Sequence, residues 1–72
     1  MDLTMREKIK LILDRRKMTV AQLAERTGQS RQNFSNKLSR DNFTEKELRS
    51  IADAMNCTFN ATFTLNDTQE EI

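Results

Sequence analysis

The sequence predicts a small all-α domain of four to five helices, followed by one C-terminal β-strand. Three observations carry that expectation. Thr4/Glu7, Thr19/Gln22 and Thr44/Glu47 are hydroxyl–carboxylate or hydroxyl–amide pairs three residues apart, each opening a run of apolar residues at helical spacing. Such a pair is a capping box, in which the two side chains satisfy amides that a helix start leaves free. The chain has no proline and one glycine, so little interrupts the helices and the connections are short. Beyond residue 56 the apolar period switches from helical to alternating, the mark of a half-buried strand.

The elements follow in order. Thr4 and Glu7 cap a first helix over about residues 5–17, with Met5, Ile9, Ile12 and Leu13 on its inner face. Thr19 and Gln22 open a short second helix with Val20, Leu23 and Ala24 inside, closed by Gly28, which takes the left-handed conformation other residues reach only with strain. Ser30 is an N-cap for a third helix over about residues 31–39, with Phe34 and Leu38 inward. Thr44 and Glu47 start a fourth that runs to about Met55, with Leu48, Ile51, Ala52 and Met55 inside and Asn56 as its C-terminal cap. Cys57, Phe59, Ala61, Phe63 and Leu65 then alternate with polar residues. The expected organisation is a helical domain over 1–56, a strand over 57–65 and a flexible acidic tail over 66–72.

Composition narrows the function classes. A chain of 72 residues hides a modest share of its surface and is marginally stable alone, so it needs a staple or a second copy. One cysteine, Cys57, and no histidine leave no internal disulfide and no zinc set. Cys57 reads as a small hydrophobe ahead of a redox thiol. No apolar run is long enough for a membrane span or signal-peptide core, which places the protein in the cytoplasm. With no histidine, phosphate-cradling glycine loop or paired-carboxylate motif, neither catalysis nor a cofactor is expected.

The net charge of +1 conceals an asymmetry. Residues 1–40 carry ten Lys/Arg against four Asp/Glu, while residues 41–72 carry two against seven. Between Arg26 and Arg40 there are four basic residues and no acidic one. One pole therefore attracts polyanions and the other repels them. Taken alone, such an asymmetry is equally an ordinary solvated face.

Two short helices joined by three or four residues around Gly28 make a helix-turn-helix unit. The stretch Val20-Ala21-Gln22-Leu23-Ala24-Glu25-Arg26-Thr27-Gly28-Gln29-Ser30-Arg31-Gln32-Asn33-Phe34 resembles the Cro/CI-type, lambda-repressor-like and XRE-like DNA-binding family. Ala24 stands where that family needs a small residue at the helix crossing, Gly28 at its turn and Phe34 at its core plug. With the flanking helices the resemblance covers roughly residues 5–56. It implies a transcriptional regulator that places its third helix in DNA. Two positions depart from the family pattern. Val20 replaces a common phosphate-gripping glutamine, a task that passes to Thr19 or Gln22. Leu38 replaces a glutamate that in several phage repressors pairs with a basic residue of the first helix, so no such pair is expected.

The third helix can also be read directly. With Phe34 inward and about 100° per residue, Leu38 lies beside it and Gln32 and Asn36 lie opposite. Ser35, Asn33 and Arg40 flank that outer stripe, and Arg31 projects from the first turn. Asn and Gln bond bidentately to adenine and Arg to guanine, and the N-terminal part of such a helix reaches the base edges. Arg31, Gln32 and Asn36 are therefore the candidates for base readout, at positions that do this work in the family. Thr19, Gln22, Ser30, Ser35, Lys37, Arg40 and Asn42 are candidates for phosphate contacts, which fix register without reading sequence.

A lone strand leaves backbone amides and carbonyls unpaired and invites another chain. The simplest partner is its own copy across a two-fold axis, with Ala61 near the axis and Phe59, Ala61, Phe63 and Leu65 as the interface. The alternative is a segment that folds back over its own core. A dimer would present two third helices about 34 Å apart to a pseudo-palindromic operator. The expected function is that of a phage- or mobile-element-type repressor, bacterial or phage-borne. The rival is a protein-interaction module, an antitoxin or anti-repressor, working through the acidic C-terminal half.

Overall fold

The computed structural model describes residues 3–72, so the first two residues of the expected 1–56 domain lie outside it. Four helices follow among the described residues: α1 Met5–Arg16, α2 Val20–Arg26, α3 Arg31–Arg40 and α4 Glu45–Ala54. Each begins on a hydroxyl. Thr4, Thr19, Ser30 and Thr44 sit in extended backbone and accept the N–H three residues on at 3.1–3.2 Å. At the three threonines, Glu7, Gln22 and Glu47 return to accept the cap's own N–H at 2.9–3.0 Å. All three capping boxes read from the sequence are formed.

The helix ends share one geometry. Lys17, Gly28, Asp41 and Asn56 have left-handed backbone, with φ between 53° and 74°. After each, an N–H turns back to the carbonyl five residues earlier: Met18 to Leu13, Gln29 to Ala24, Asn42 to Lys37 and Cys57 to Ala52, at 2.8–3.4 Å. This is the Schellman closure, which satisfies carbonyls orphaned at a helix C-terminus. Gly28 and Asn56 announce it by residue type. Lys17 and Asp41 do not.

The core is built from every helix. Ile9, Leu13, Leu23, Ala24, Phe34, Leu38, Ile51, Ala52 and Met55 are buried, with Leu23 and Phe34 wholly excluded from solvent. Each large side chain so buried contributes about 1.5–3 kcal/mol. Phe43 in the α3–α4 connection leans on Phe34 with ring centroids 6.2 Å apart and planes tilted by 48°, within the range that aromatic pairs favour. Helix α2 packs against both α3 and α4. No polar side chain is buried among the described residues, so the interior imposes shape and no chemistry.

The C-terminal segment departs from the expected strand. Among the described residues no strand runs over 57–65, and the sole bridge joins Thr64 to Glu71. Phe59 is half-buried at the edge of a groove lined by Ile9, Ile12, Ile51 and Met55. The chain then leaves the helical body, and everything from Asn60 onward is exposed. Phe63 is 82% exposed and Leu65 39%, so Phe63 does not cover α4 of its own chain. Residues 66–72, expected as a flexible tail, return along 63–65. Phe63 and Ile72 exchange N–H···O bonds at 2.8 Å, and the Leu65 N–H reaches the Glu70 carbonyl at 2.8 Å. The physical reason is a missing neighbour. A strand exists through its ladder, and the helical body offers residues 57–62 no edge to pair with.

Candidate nucleic-acid interface

Helix α3 divides cleanly by face. Phe34 and Leu38 are buried against α2 and the core, while Arg31, Gln32, Asn33, Asn36 and Arg40 are exposed. The turn before it is fixed from both sides. Gly28 has φ +74° and its N–H bonds to the Glu25 carbonyl at 3.1 Å. Thr27 anchors its hydroxyl on the Leu23 and Ala24 carbonyls at 3.1 and 3.0 Å, and Gln29 donates to that hydroxyl at 3.1 Å. Ser30 then caps α3. The outer stripe is thus held by a rigid turn and a buried aromatic plug, the preorganisation that precise groove contacts need.

Of the three residues expected to read bases, Arg31 and Gln32 lie in the first turn of α3 and Asn36 lies one turn further, at its middle. Gln32 Nε2 donates to Asn36 Oδ1 at 3.3 Å, one turn apart. That bond leaves the Gln32 carbonyl free to accept and the Asn36 amide free to donate, the two functions that an adenine edge offers partners to. Arg31 is exposed in the first turn and projects beside α1.

The expected phosphate contacts scatter more. Thr19 and Gln22 are exposed at the start of α2, and the cap leaves the Thr19 hydroxyl hydrogen and the Gln22 amide hydrogens available. Ser30 likewise accepts from Asn33 through its oxygen at 3.1 Å and keeps its hydrogen. Ser35 is half-buried facing α1, and Arg40 and Asn42 are exposed at the far end of α3. Lys37 is different. Its ammonium pairs with the Glu47 carboxylate of α4 and is only partly open to solvent. That ammonium, then the Thr44 N–H, holds the Glu47 carboxyl at about 2 against an ordinary 4.5. In the same way the Thr4 N–H and hydroxyl lower the Glu7 carboxyl.

Other cations of the basic half are committed elsewhere. Arg16 donates to the Asn56 carbonyl at 3.2 Å and Arg26 to the Ala54 carbonyl at 3.2 Å. Both satisfy the C-terminal end of α4, whose dipole favours positive charge. Arg6 and Lys10 of α1 are not so committed. They line a groove of about 320 Å³ with Arg31, Ser35 and Ser39 of α3, over a floor formed by Val20 and Leu38. Sequence reasoning passed over these two residues. Their four-residue spacing was visible, but the face of α1 that meets α3 was not.

Among the described residues no helix is long and apolar enough to cross a membrane, and no group of three or more His, Cys, Asp or Glu side chains could hold a metal ion. A family model described as a Cro/C1-type HTH DNA-binding domain matches residues 8–65. The match runs past α4 and takes in the extended segment. No curated protein and no solved structure gives a significant match.

Proposed function

The chain belongs to the Cro/C1-type helix-turn-helix DNA-binding family, and from that premise we propose that it is a sequence-specific repressor of the phage or mobile-element kind. One observation carries the reading: Gln32 and Asn36 are hydrogen-bonded to each other on the exposed face of α3, opposite the buried Phe34. Inserted in a major groove, that face presents amides to adenine edges while Arg31 reaches guanine. Thr19, Gln22, Ser30, Ser35, Arg40 and Asn42 contact the backbone on either side. Lys37 joins them by exchanging its Glu47 partner for a phosphate.

The operator is pseudo-palindromic and the protein binds it as a homodimer. Residues 58–62 have no backbone partner among the described residues, and Phe63 is the most exposed large apolar side chain there. Antiparallel pairing with a second copy about Ala61 would satisfy the backbone and cover Phe59, Phe63 and Leu65. The chain acts in the cytoplasm, without a cofactor and without catalysis.

The test is a binding selection from randomised duplex DNA at near-physiological salt. An enriched inverted repeat with half-sites about one helical turn apart supports the reading. Weak binding without enrichment, lost as salt rises, overturns it. A second reading has its own observation: the hairpin over 63–72 exposes Phe63 and Ile72 beside Asp67, Glu70 and Glu71, a surface suited to a basic protein partner, as in an antitoxin or anti-repressor. Replacing Gln32 and Asn36 by Ala abolishes specific DNA binding under the first reading and leaves partner binding intact under the second.

A further inference from the structure

The groove between α1 and α3 holds more unpaired positive charge than the fold requires. Arg6 and Lys10 sit one turn apart on α1, facing Arg31 of α3, and all three are exposed. None of the three is in an ion pair among the described residues. The Asp41 carboxylate at the end of α3 accepts the backbone N–H of Arg6 at 2.8 Å. Ser35 and Ser39, one turn apart, add two hydroxyls, and neither is used as a cap. Three cations around neutral donors over an apolar floor match an anion in sign and in hydrogen-bonding capacity.

The position of the groove says which anion. On α3 the pair Ser35–Ser39, behind Arg31 of the first turn, runs beside the base-facing stripe Gln32–Asn36. A helix about 10–12 Å across nearly fills a major groove about 12 Å wide. A stripe adjacent to the base-facing one must therefore confront a sugar–phosphate wall. We propose that this groove holds one backbone phosphate of the bound duplex, with Arg6 and Lys10 as its charged ligands and Ser35 and Ser39 as neutral donors. The inference rests on the DNA-binding reading and adds α1 to the contact surface.

Its test separates the two. Affinity for a fixed non-specific duplex and for a selected site is titrated by fluorescence anisotropy between about 50 and 200 mM salt. The Arg6→Gln/Lys10→Gln double variant lowers the slope of log K against log salt by about one. It weakens both duplexes by the same factor and leaves the base preference unchanged. Arg6→Lys/Lys10→Arg restores the slope. Lys8→Gln, on the face of α1 that lines the α4 groove, leaves it as it was. An unchanged slope in the double variant, with the unaltered chain still binding, overturns the phosphate site and spares the regulator. An unaltered chain that binds no duplex overturns both.

Discussion

The Asp41 carboxylate accepts the backbone N–H of Arg6 at 2.8 Å, across 35 residues of sequence. Asp41 is the left-handed residue that ends α3 through its backbone N–H, and its side chain caps the first turn of α1, where Arg6 lies. A carboxylate at that N-terminus also meets the positive end of the α1 dipole. The contact ties the start of α1 to the end of α3, the two helices that share the groove lined by Arg6 and Lys10.

Asp41→Ala removes the cap and keeps the strained backbone. The expected loss is about 1–2 kcal/mol, in the range of lost N-caps. Urea denaturation measures it. Asp41→Asn, which retains an acceptor and tolerates the left-handed conformation, recovers most of the loss. If Ala and Asn behave alike, the carbonyl oxygen at position 41 contributes nothing to the junction.

The four left-handed helix ends predict opposite signs for two substitutions. Lys17, at φ 56°, makes no side-chain hydrogen bond or ion pair among the described residues. Lys17→Gly relieves that backbone at a smaller cost in chain entropy, so it stabilises by up to about 1 kcal/mol. Gly28→Ala does the reverse. A Cβ at Gly28 would meet nothing within 4 Å, so its penalty is conformational alone, about 1–2 kcal/mol. Thermal melts read both, at about 4–8 °C per kcal/mol for a domain of this size. A neutral Gly28→Ala would mean that this turn is not left-handed in solution.

Acid stability follows from Glu47. Its folded-state value of about 2 lies below the ordinary 4.5, so the unfolded chain takes up its proton first as pH falls. The contribution is complete above about pH 4.5 and is lost between there and about pH 2. Because Lys37 and Glu47 keep 39% and 25% of their side-chain surface in solvent, the pair is worth at most about 1 kcal/mol. Glu7 shifts in the same direction. Denaturation midpoints measured across this window should fall with acid, and Glu47→Gln should flatten the fall. An equally steep curve for that variant would remove Glu47 as its source.

The helices were legible because their signals are local. Each capping box sits within four residues, and Leu23, Phe34 and Ile51 declare their burial by periodicity. The exposure of Gln32 and Asn36 follows from the inward position of Phe34 by rotation alone. What stayed hidden depends on how helices meet. The Asp41–Arg6 bond, the pairing of Lys37 with Glu47, and the use of Arg16 and Arg26 on the α4 carbonyls each join residues ten to forty apart. The alternation over 57–65 predicts pairing but not a partner, and the chain supplies one only for its last few residues.

If a second copy supplies that partner, the protein sediments as a dimer. Ala61→Pro then removes an N–H at the centre of the ladder and shifts the species to monomer while far-UV helical signal is retained. Phe63→Asp acts through the side chain with the same result. A monomeric unaltered chain at micromolar concentration would leave the hairpin over 63–72 as the segment's whole structure in solution.

The bond between Gln32 and Asn36 makes a prediction that additive contacts do not. Each amide, if it reads an adenine, contributes about 1–3 kcal/mol of discrimination at one base pair. Since Gln32 Nε2 also orients Asn36 Oδ1 at 3.3 Å, loss of either side chain disorders the other. Gln32→Ala should relax preference at its own base pair and, more weakly, at the one Asn36 reads. The double variant should then cost less than the two singles together, a coupling of about 0.5 kcal/mol or more. Arg31→Ala, outside that bond, should be additive with both. Binding selections repeated on the four proteins give the preferences, and titrations on one operator give the coupling. Strict additivity of Gln32→Ala and Asn36→Ala would show two independent readers, with the hydrogen bond between them surrendered when DNA arrives.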